Sequence, residues 1–318
     1  MLKFPAKKTQ FHQNDTLVFS IENRKGVAPD SISYTLKENP IQLKEQKLPL
    51  TNVPLGIHSF TAAVFHDGKK EVLTSKFTVL SMVKPKVYTI KIIQEYPHDQ
   101  GAYTQGLEFY KDTLYEGTGR YNESRLRKLN LETGEVLKEI SLQQNQFGEG
   151  ITILNDKIYQ LTWQNKIGFV YDINTFEKIK SFSYKKSKEG WGLTNDGEKL
   201  FKSDGTEKIW ILDSETLEEQ DYIQVTSNSK IYNKVNELEY VDGKIYANSY
   251  QNDGIMIIDA SSGALLGVVD GRGLKKKVAS HSQLDVLNGI AYNPSRKTFF
   301  LTGKYWNKMF EVVFEEKN

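Results

Sequence analysis

Three features of this 318-residue sequence predict an all-β fold. Apolar residues alternate, or run for only a few positions, before Asn, Asp, Gly or Pro interrupts them, as short strands require. Spacing of the i, i+3, i+4, i+7 kind is nowhere sustained, so helices are not expected. Aromatic residues reach 12%, in keeping with the preference of flat side chains for pleated, half-buried surfaces. At 38% hydrophobic and 26% charged, the composition is that of a packed protein rather than a disordered one. Forty-two basic residues against forty acidic ones leave +2, too small and too evenly spread to predict a nucleic-acid partner. The lack of cysteine removes thiol catalysis, Cys-ligated zinc and disulfides. No run approaches the ~20 apolar residues of a membrane span, and MLKFPAKKTQ has no apolar core of a signal peptide.

In residues 1–85 the segments Thr16–Ile21, Ile32–Leu36 and Phe60–Phe65 read as strands, with turns at Asn23–Gly26, Asn52–Gly56 and His66–Gly68. A series of about six or seven such strands makes a small antiparallel sandwich. The pattern resembles bacterial immunoglobulin-like accessory domains, without their Cys–Trp–Cys hallmark. The stretch SMVKPK (81–86) marks a change of composition, and 86–318 is expected to be a separate domain.

That second part repeats. QGLEF (105–109), EGITI (149–153), WGLT (191–194), NELEY (236–240) and NGIAY (288–292) begin five similar segments, offset by 44, 42, 45 and 52 residues. The last offset is long because Gly271–Asp285 reads as an inserted loop. A second strand follows in each (LYEGTG, IYQLTW, LFKSDG, IYANSY, FFLTGK), then a third, then a polar-alternating fourth. Four strands in a repeat of ~40–45 residues describe a propeller blade. The fifth repeat stops after three strands, and Val87–Ile93, just before the first repeat, is placed to supply the missing outer one. The prediction is a five-bladed β-propeller over 86–318, preceded by a small Ig-like β-sandwich over 1–85.

Blade geometry turns this alignment into a site. First strands start, and second strands end, at the same rim, because the two are antiparallel neighbours. The aligned starts are Gln105, Glu149, Trp191, Asn236 and Asn288; the aligned ends are Gly119, Trp163, Gly205, Tyr250 and Lys304. A repeat needs its apolar positions to recur, but this register diversifies into one carboxylate, one ammonium, amides and large aromatics. That set reads as a pocket with a few polar groups on an apolar wall. The five histidines form no ligand spacing, so no metal is expected. No phosphate-binding loop leads into a helix, so no nucleotide cofactor is expected either.

The motifs YPHDQGAYTQGLEF (96–109), FGEGIT (147–152), GWGLT (190–194), VNELEY (235–240), VLNGIAY (286–292) and LTGKYW (301–306) closely resemble the plant and bacterial type of glutaminyl-peptide cyclotransferase, in order and with matching spacing over essentially all of 86–318. The resemblance implies a five-bladed propeller that converts the N-terminal glutamine of peptides to pyroglutamate and releases ammonia without a catalytic metal or other cofactor. By motif it puts the general acid/base on Glu149 and pocket residues at Tyr103, Gln105, Phe147, Trp163, Trp191, Asn236 and Lys304. Two departures stand out: Tyr250 replaces a usual Trp and Tyr103 a common Phe, both keeping an aromatic wall.

The chemistry asks for a group that takes a proton from the attacking amine and returns one to the departing ammonia. A single carboxyl with proton affinity raised by apolar neighbours does both. Glycines on either side of Glu149 allow close approach of a ligand. Trp163, Trp191, Phe147 and Tyr250 offer walls that hold glutamine bent for intramolecular attack. Asn236, Gln105, Asn288 and Lys304 are candidate donors to the oxyanion; Lys304 reads equally as a partner that holds Glu149 ionised, the pair titrating as a unit, and Asn288 reads more readily as a residue that holds blade backbone. The expected partners are peptides or proteins with N-terminal Gln, the expected state a monomer, and the expected location extracytoplasmic, on the strength of an Ig-like module ahead of a peptide-acting propeller. A catalytically silent propeller that binds peptide N-termini or glycans at the same mouth is the alternative.

Overall fold

The computed structural model describes residues 2–3, 8–22, 26 and 28–317. The turn expected at Asn23–Gly26 lies outside them except for Gly26. Two compact units result, Met1–Val83 with Thr226–Ile231, and Lys84–Val225 with Tyr232–Asn318. The short segment 226–231, which the sequence places within 86–318, groups with the first unit for a visible reason. Asn228 donates its amide to the Val83 carbonyl at 3.1 Å, and its own carbonyl lies 2.9 Å from His12 Nε2.

The first unit is built on a five-stranded sheet ordered Gln10–His12, Lys69–Leu80, Gly56–His66, Ser31–Leu36, Asn39–Ile41. Gly56–His66 and Lys69–Leu80 are longer than the sequence pattern suggests, because Asp67 and Gly68, at φ 46° and 69°, turn the chain back in two residues. Thr16–Val18 pairs separately with Lys47–Pro49. Phe19, Phe60, Phe77, Leu17 and Leu50 are buried in its core, with the Phe19 and Phe60 rings 4.7 Å apart.

The second unit contains three four-stranded antiparallel sheets in which consecutive strands are neighbours. Their first strands are Thr104–Tyr110, Gly148–Leu154 and Leu193–Asn195. A fourth sheet has eight strands, beginning at Val235–Val241 on one side and Leu287–Asn293 on the other. Lys86–Pro97 lies in its middle, antiparallel to Lys308–Glu316 along its length and parallel to Leu265–Asp270 over Lys86–Thr89. The parallel junction has no counterpart in the sequence pattern. The inserted loop carries one 3-10 turn, Leu274–Lys277, anchored by buried Leu274.

The five first strands pack in a closed circuit: 104–110 on 148–154, that on 193–195, then 235–241, then 287–293, and back to 104–110. Facing the centre, each would leave amide groups without a strand partner, and buried carboxyls take several of them. Glu237 accepts from Leu107 N at 3.2 Å and Ile290 N at 3.0 Å; Glu108 accepts from Ile153 N at 3.0 Å and Glu239 from Tyr292 N at 2.9 Å. Burial pushes all three carboxyls upward, Glu108 to about 8.

Close approach along the circuit requires glycine. A Cβ on Gly192 would sit 2.2 Å from the Asn236 carbonyl oxygen and 2.7 Å from Glu237 Cα, both backbone atoms that cannot step aside. Gly192→Ala is expected to cost about 3 kcal/mol, read as a lower midpoint in chemical denaturation. Gly254→Ala serves as control, since its nearest neighbours would lie at 3.7 and 3.9 Å.

Where the fourth sheet meets the first, His98 forms a buried clasp. Nδ1 lies 2.7 Å from the Trp306 carbonyl and Nε2 3.0 Å from Glu116, which also accepts from Thr104 Oγ1 at 2.7 Å. Burial pulls the imidazole down, but the Glu116 charge and hydrogen bond, the Trp306 carbonyl and Asp99 outweigh it, and the net shift is upward. Stability from a raised histidine is complete below the unfolded value, ~6.5, and is lost as pH rises through the folded one. The stability difference between wild type and His98→Gln should therefore be largest in mild acid and shrink toward alkaline pH.

Candidate active site

At the rim where first strands begin, ten residues enclose a cavity of about 270 Å³. Its floor and walls carry Gln105, Glu149, Trp191 and Asn236 from strand starts, and Trp163, Tyr250 and Lys304 from strand ends. Tyr103 and Phe147, each two residues before a start, complete the wall together with Arg120. The register is fixed by backbone bonds: Gly119 donates to Tyr103 O at 2.8 Å, Trp163 to Phe147 O at 3.0 Å, Tyr250 to Lys234 O at 2.9 Å and Lys304 to Val286 O at 3.0 Å.

Gly119 and Gly205 do not line the cavity; they make room for those that do. A Cβ on Gly119 would meet Phe147 Cε1 at 2.4 Å, and one on Gly205, at φ +76°, would meet Trp191 Cζ2 at 2.6 Å. Asn288 is not a lining residue either. Fully buried beneath the floor, it accepts from Asn236 Nδ2 at 2.8 Å and donates to Thr104 O at 2.9 Å and Gln105 Oε1 at 3.2 Å. It orients two floor amides and is out of reach of a ligand.

Glu149 is 4% exposed. Burial pushes its carboxyl well above the usual range, the Lys304 charge opposes, and the Glu189 charge adds to the rise. Lys304 is likewise buried; burial lowers its proton affinity, Glu149 and Asp285 counteract, and Arg120 lowers it further. Its ammonium sits 4.5 Å from the Tyr103 ring centre and 5.3 Å from that of Tyr250, a placement that stabilises the cation over two electron-rich faces. The cavity thus holds a carboxyl whose proton affinity burial raises together with an ammonium whose proton affinity burial lowers.

The aromatic wall is tied together edge to face. Phe147 stands 5.5 Å from Trp163 and 6.0 Å from Tyr103, and Trp191 stands 5.3 Å from Tyr250. Glu189, absent from the sequence-derived set, grips both indoles: one carboxylate oxygen accepts from Trp163 Nε1 at 2.5 Å and from Trp191 Nε1 at 2.8 Å. Lys202, fully buried and lowered to about 8 chiefly by burial, holds the Glu189 carbonyl at 3.0 Å and the Glu219 carboxylate at 3.2 Å. Glu189 stands two residues before Trp191, as Tyr103 and Phe147 stand before Gln105 and Glu149, so extending the repeat register by two would have found it. Arg120 directly follows Gly119, in a turn the repeat does not constrain.

A family model described as Glutamine cyclotransferase matches residues 66–314. The chain is 38% identical over 236 residues to a glutaminyl-peptide cyclotransferase of Arabidopsis thaliana, covering 73% of each chain. A crystal structure of Myxococcus xanthus glutaminyl cyclase superposes with a TM-score of 0.69 at 32% identity, over 74% of this chain and all of the other.

Proposed function

The chain belongs to the glutamine cyclotransferase family and acts on glutaminyl peptides, and from that premise we propose that Glu149 is its acid/base group, in a pocket on a five-bladed β-propeller. The closed circuit of first strands supports the blade count, and the five-stranded sheet of the first unit, with Thr16–Val18 and Lys47–Pro49 paired apart from it, supports an Ig-like reading of that unit.

The N-terminal glutamine enters with its side chain bent between Trp163 and Trp191. Its neutral α-amine attacks the γ-carbonyl carbon, and negative charge collects on the oxygen. Lys304 and the amides of Asn236 and Gln105 face that oxygen as donors. Glu149 takes the proton lost by the attacking nitrogen and delivers it to the amide nitrogen. The carbon–nitrogen bond to that nitrogen then breaks, so ammonia leaves and a five-membered lactam remains. Holding amine and carbonyl in contact supplies most of the acceleration, because the attack is intramolecular.

A buried carboxyl of raised proton affinity, set in an aromatic cavity opposite a buried ammonium, carries this reading. Ammonia release from glutaminyl dipeptides tests it: turnover is expected, and its absence with several peptides overturns it. Only the neutral amine attacks, and α-amines titrate near ~7.7–8.0, so the rate should climb from about pH 6 to about pH 8.

A further inference from the structure

Nine of the ten cavity residues are buried or half-buried, and Arg120 alone among them is exposed. It therefore marks the mouth, where the peptide must leave the pocket after its first residue. Its guanidinium carbon lies 5.1 Å from the Tyr103 ring centre and 5.9 Å from that of Tyr305, two rings that themselves meet at 5.2 Å. Those faces hold the planar fork in place while its N–H groups stay open. No carboxylate among the described residues forms an ion pair with it. Asp285 accepts from the Tyr103 hydroxyl at 3.5 Å and acts on Lys304.

The backbone under Arg120 is also held against its preference. Its φ is 89°, in the left-handed region that a non-glycine residue adopts only when its surroundings hold it there. Ser124 keeps it there, donating to the Arg120 carbonyl through N at 3.0 Å and Oγ at 2.7 Å. The same Oγ accepts from Gly148 N at 2.8 Å, next to Glu149. The turn that presents the guanidinium is thus tied to the strand that carries the catalytic carboxyl.

We propose that Arg120 determines specificity by receiving a carboxylate just beyond the N-terminal glutamine, either the side chain of an acidic second residue or the free carboxylate of a dipeptide. An open, pre-oriented guanidinium is the group best suited to bind a carboxylate through two parallel N–H bonds. The inference rests on the cyclotransferase reading and deepens it.

Four substrates separate the possibilities at low ionic strength: glutaminyl-alanine amide, glutaminyl-glutamate amide, glutaminyl-alanine with a free carboxylate, and glutaminyl-lysine amide. The wild type should favour at least one carboxylate-bearing peptide over the neutral amide by about tenfold in kcat/KM, through KM. Preference for the glutamate amide assigns the site to an acidic second residue; preference for the free dipeptide assigns it to the chain terminus. Arg120→Ala should abolish the preference, and Arg120→Glu should transfer it to the lysine amide. Arg120→Gly, which suits the left-handed backbone, guards against a folding artefact and should behave like the alanine variant. Equal ratios in wild type and Arg120→Ala overturn the inference while leaving the cyclotransferase reading intact. Absence of ammonia from all four substrates overturns the latter instead.

Discussion

Glu149→Gln should lower kcat for ammonia release by about 10³-fold while making the protein harder to unfold at neutral pH. The two effects share a cause. Burial holds the Glu149 carboxyl well above its ordinary range, so the native state keeps a proton that the unfolded chain gives up. A carboxyl raised in this way contributes stability at low pH, and that contribution is lost as pH climbs from the unfolded value toward the folded one. The amide fills the same space, carries no charge and leaves no cavity, so the melting temperature at pH 7 should rise. Steady-state ammonia release and a thermal melt on the same preparation check both halves. Turnover within about tenfold of wild type would remove Glu149 from the acid/base role. Unchanged turnover with a raised melting temperature would mean that the carboxyl is buried for some other purpose.

Lys304→Met is the second large effect, expected to reduce kcat about 10²-fold and to move the acid limb of the pH–rate profile toward alkaline pH. The ammonium opposes the rise in Glu149 proton affinity; without it Glu149 binds its proton more tightly, so a higher pH is needed to free it as a base. The thioether chain keeps much of the contact with Tyr103 and Tyr250, over which the ammonium sits at 4.5 and 5.3 Å. A full pH profile distinguishes the outcomes. Reduced kcat with an unmoved limb would leave Lys304 as an oxyanion donor without electrostatic coupling to Glu149. Unchanged kcat would exclude it from donation.

Much of this site is legible in the repeat. Aligning five strand starts and five strand ends places Gln105, Glu149, Trp163, Trp191, Asn236, Tyr250 and Lys304 on one rim, and all of them line the cavity. Periodicity carries that information because a strand fixes its side chains by register. The same alignment places Asn288, Gly119 and Gly205 on the rim, but register says nothing of depth. Asn288 hydrogen-bonds beneath the floor, and the two glycines are covered by Phe147 and Trp191. Arg120 depends on a left-handed turn held by Ser124, and Glu189 on a loop supported by Lys202. The Arg120 turn is set by bonding within itself, which no repeat spacing encodes; Glu189 keeps the register, two residues before Trp191, but its grip on both indoles is not written in that spacing. The parallel pairing of Lys86–Thr89 with Leu265–Asp270 is invisible for a related reason: it joins segments far apart in the chain, and no repeat spacing links them.

From Tyr88 to Pro97 the strand pairs with Lys308–Glu316, interrupted by one bulge between Ile92 and Gln94, so Tyr88 must wait for Glu316, 228 positions further along the chain. During synthesis the early strand leaves the ribosome with a long unsatisfied edge, the kind of surface on which other chains associate. Its parallel neighbour Leu265–Asp270 arrives first and covers one edge over only four residues. Ring closure is consequently the most non-local event in the unit and the natural slow step of its folding. Lys304, on the turn just before that final strand, joins Glu149 only in the last stage of assembly, so a nascent chain carries the carboxyl for a long interval without its ammonium.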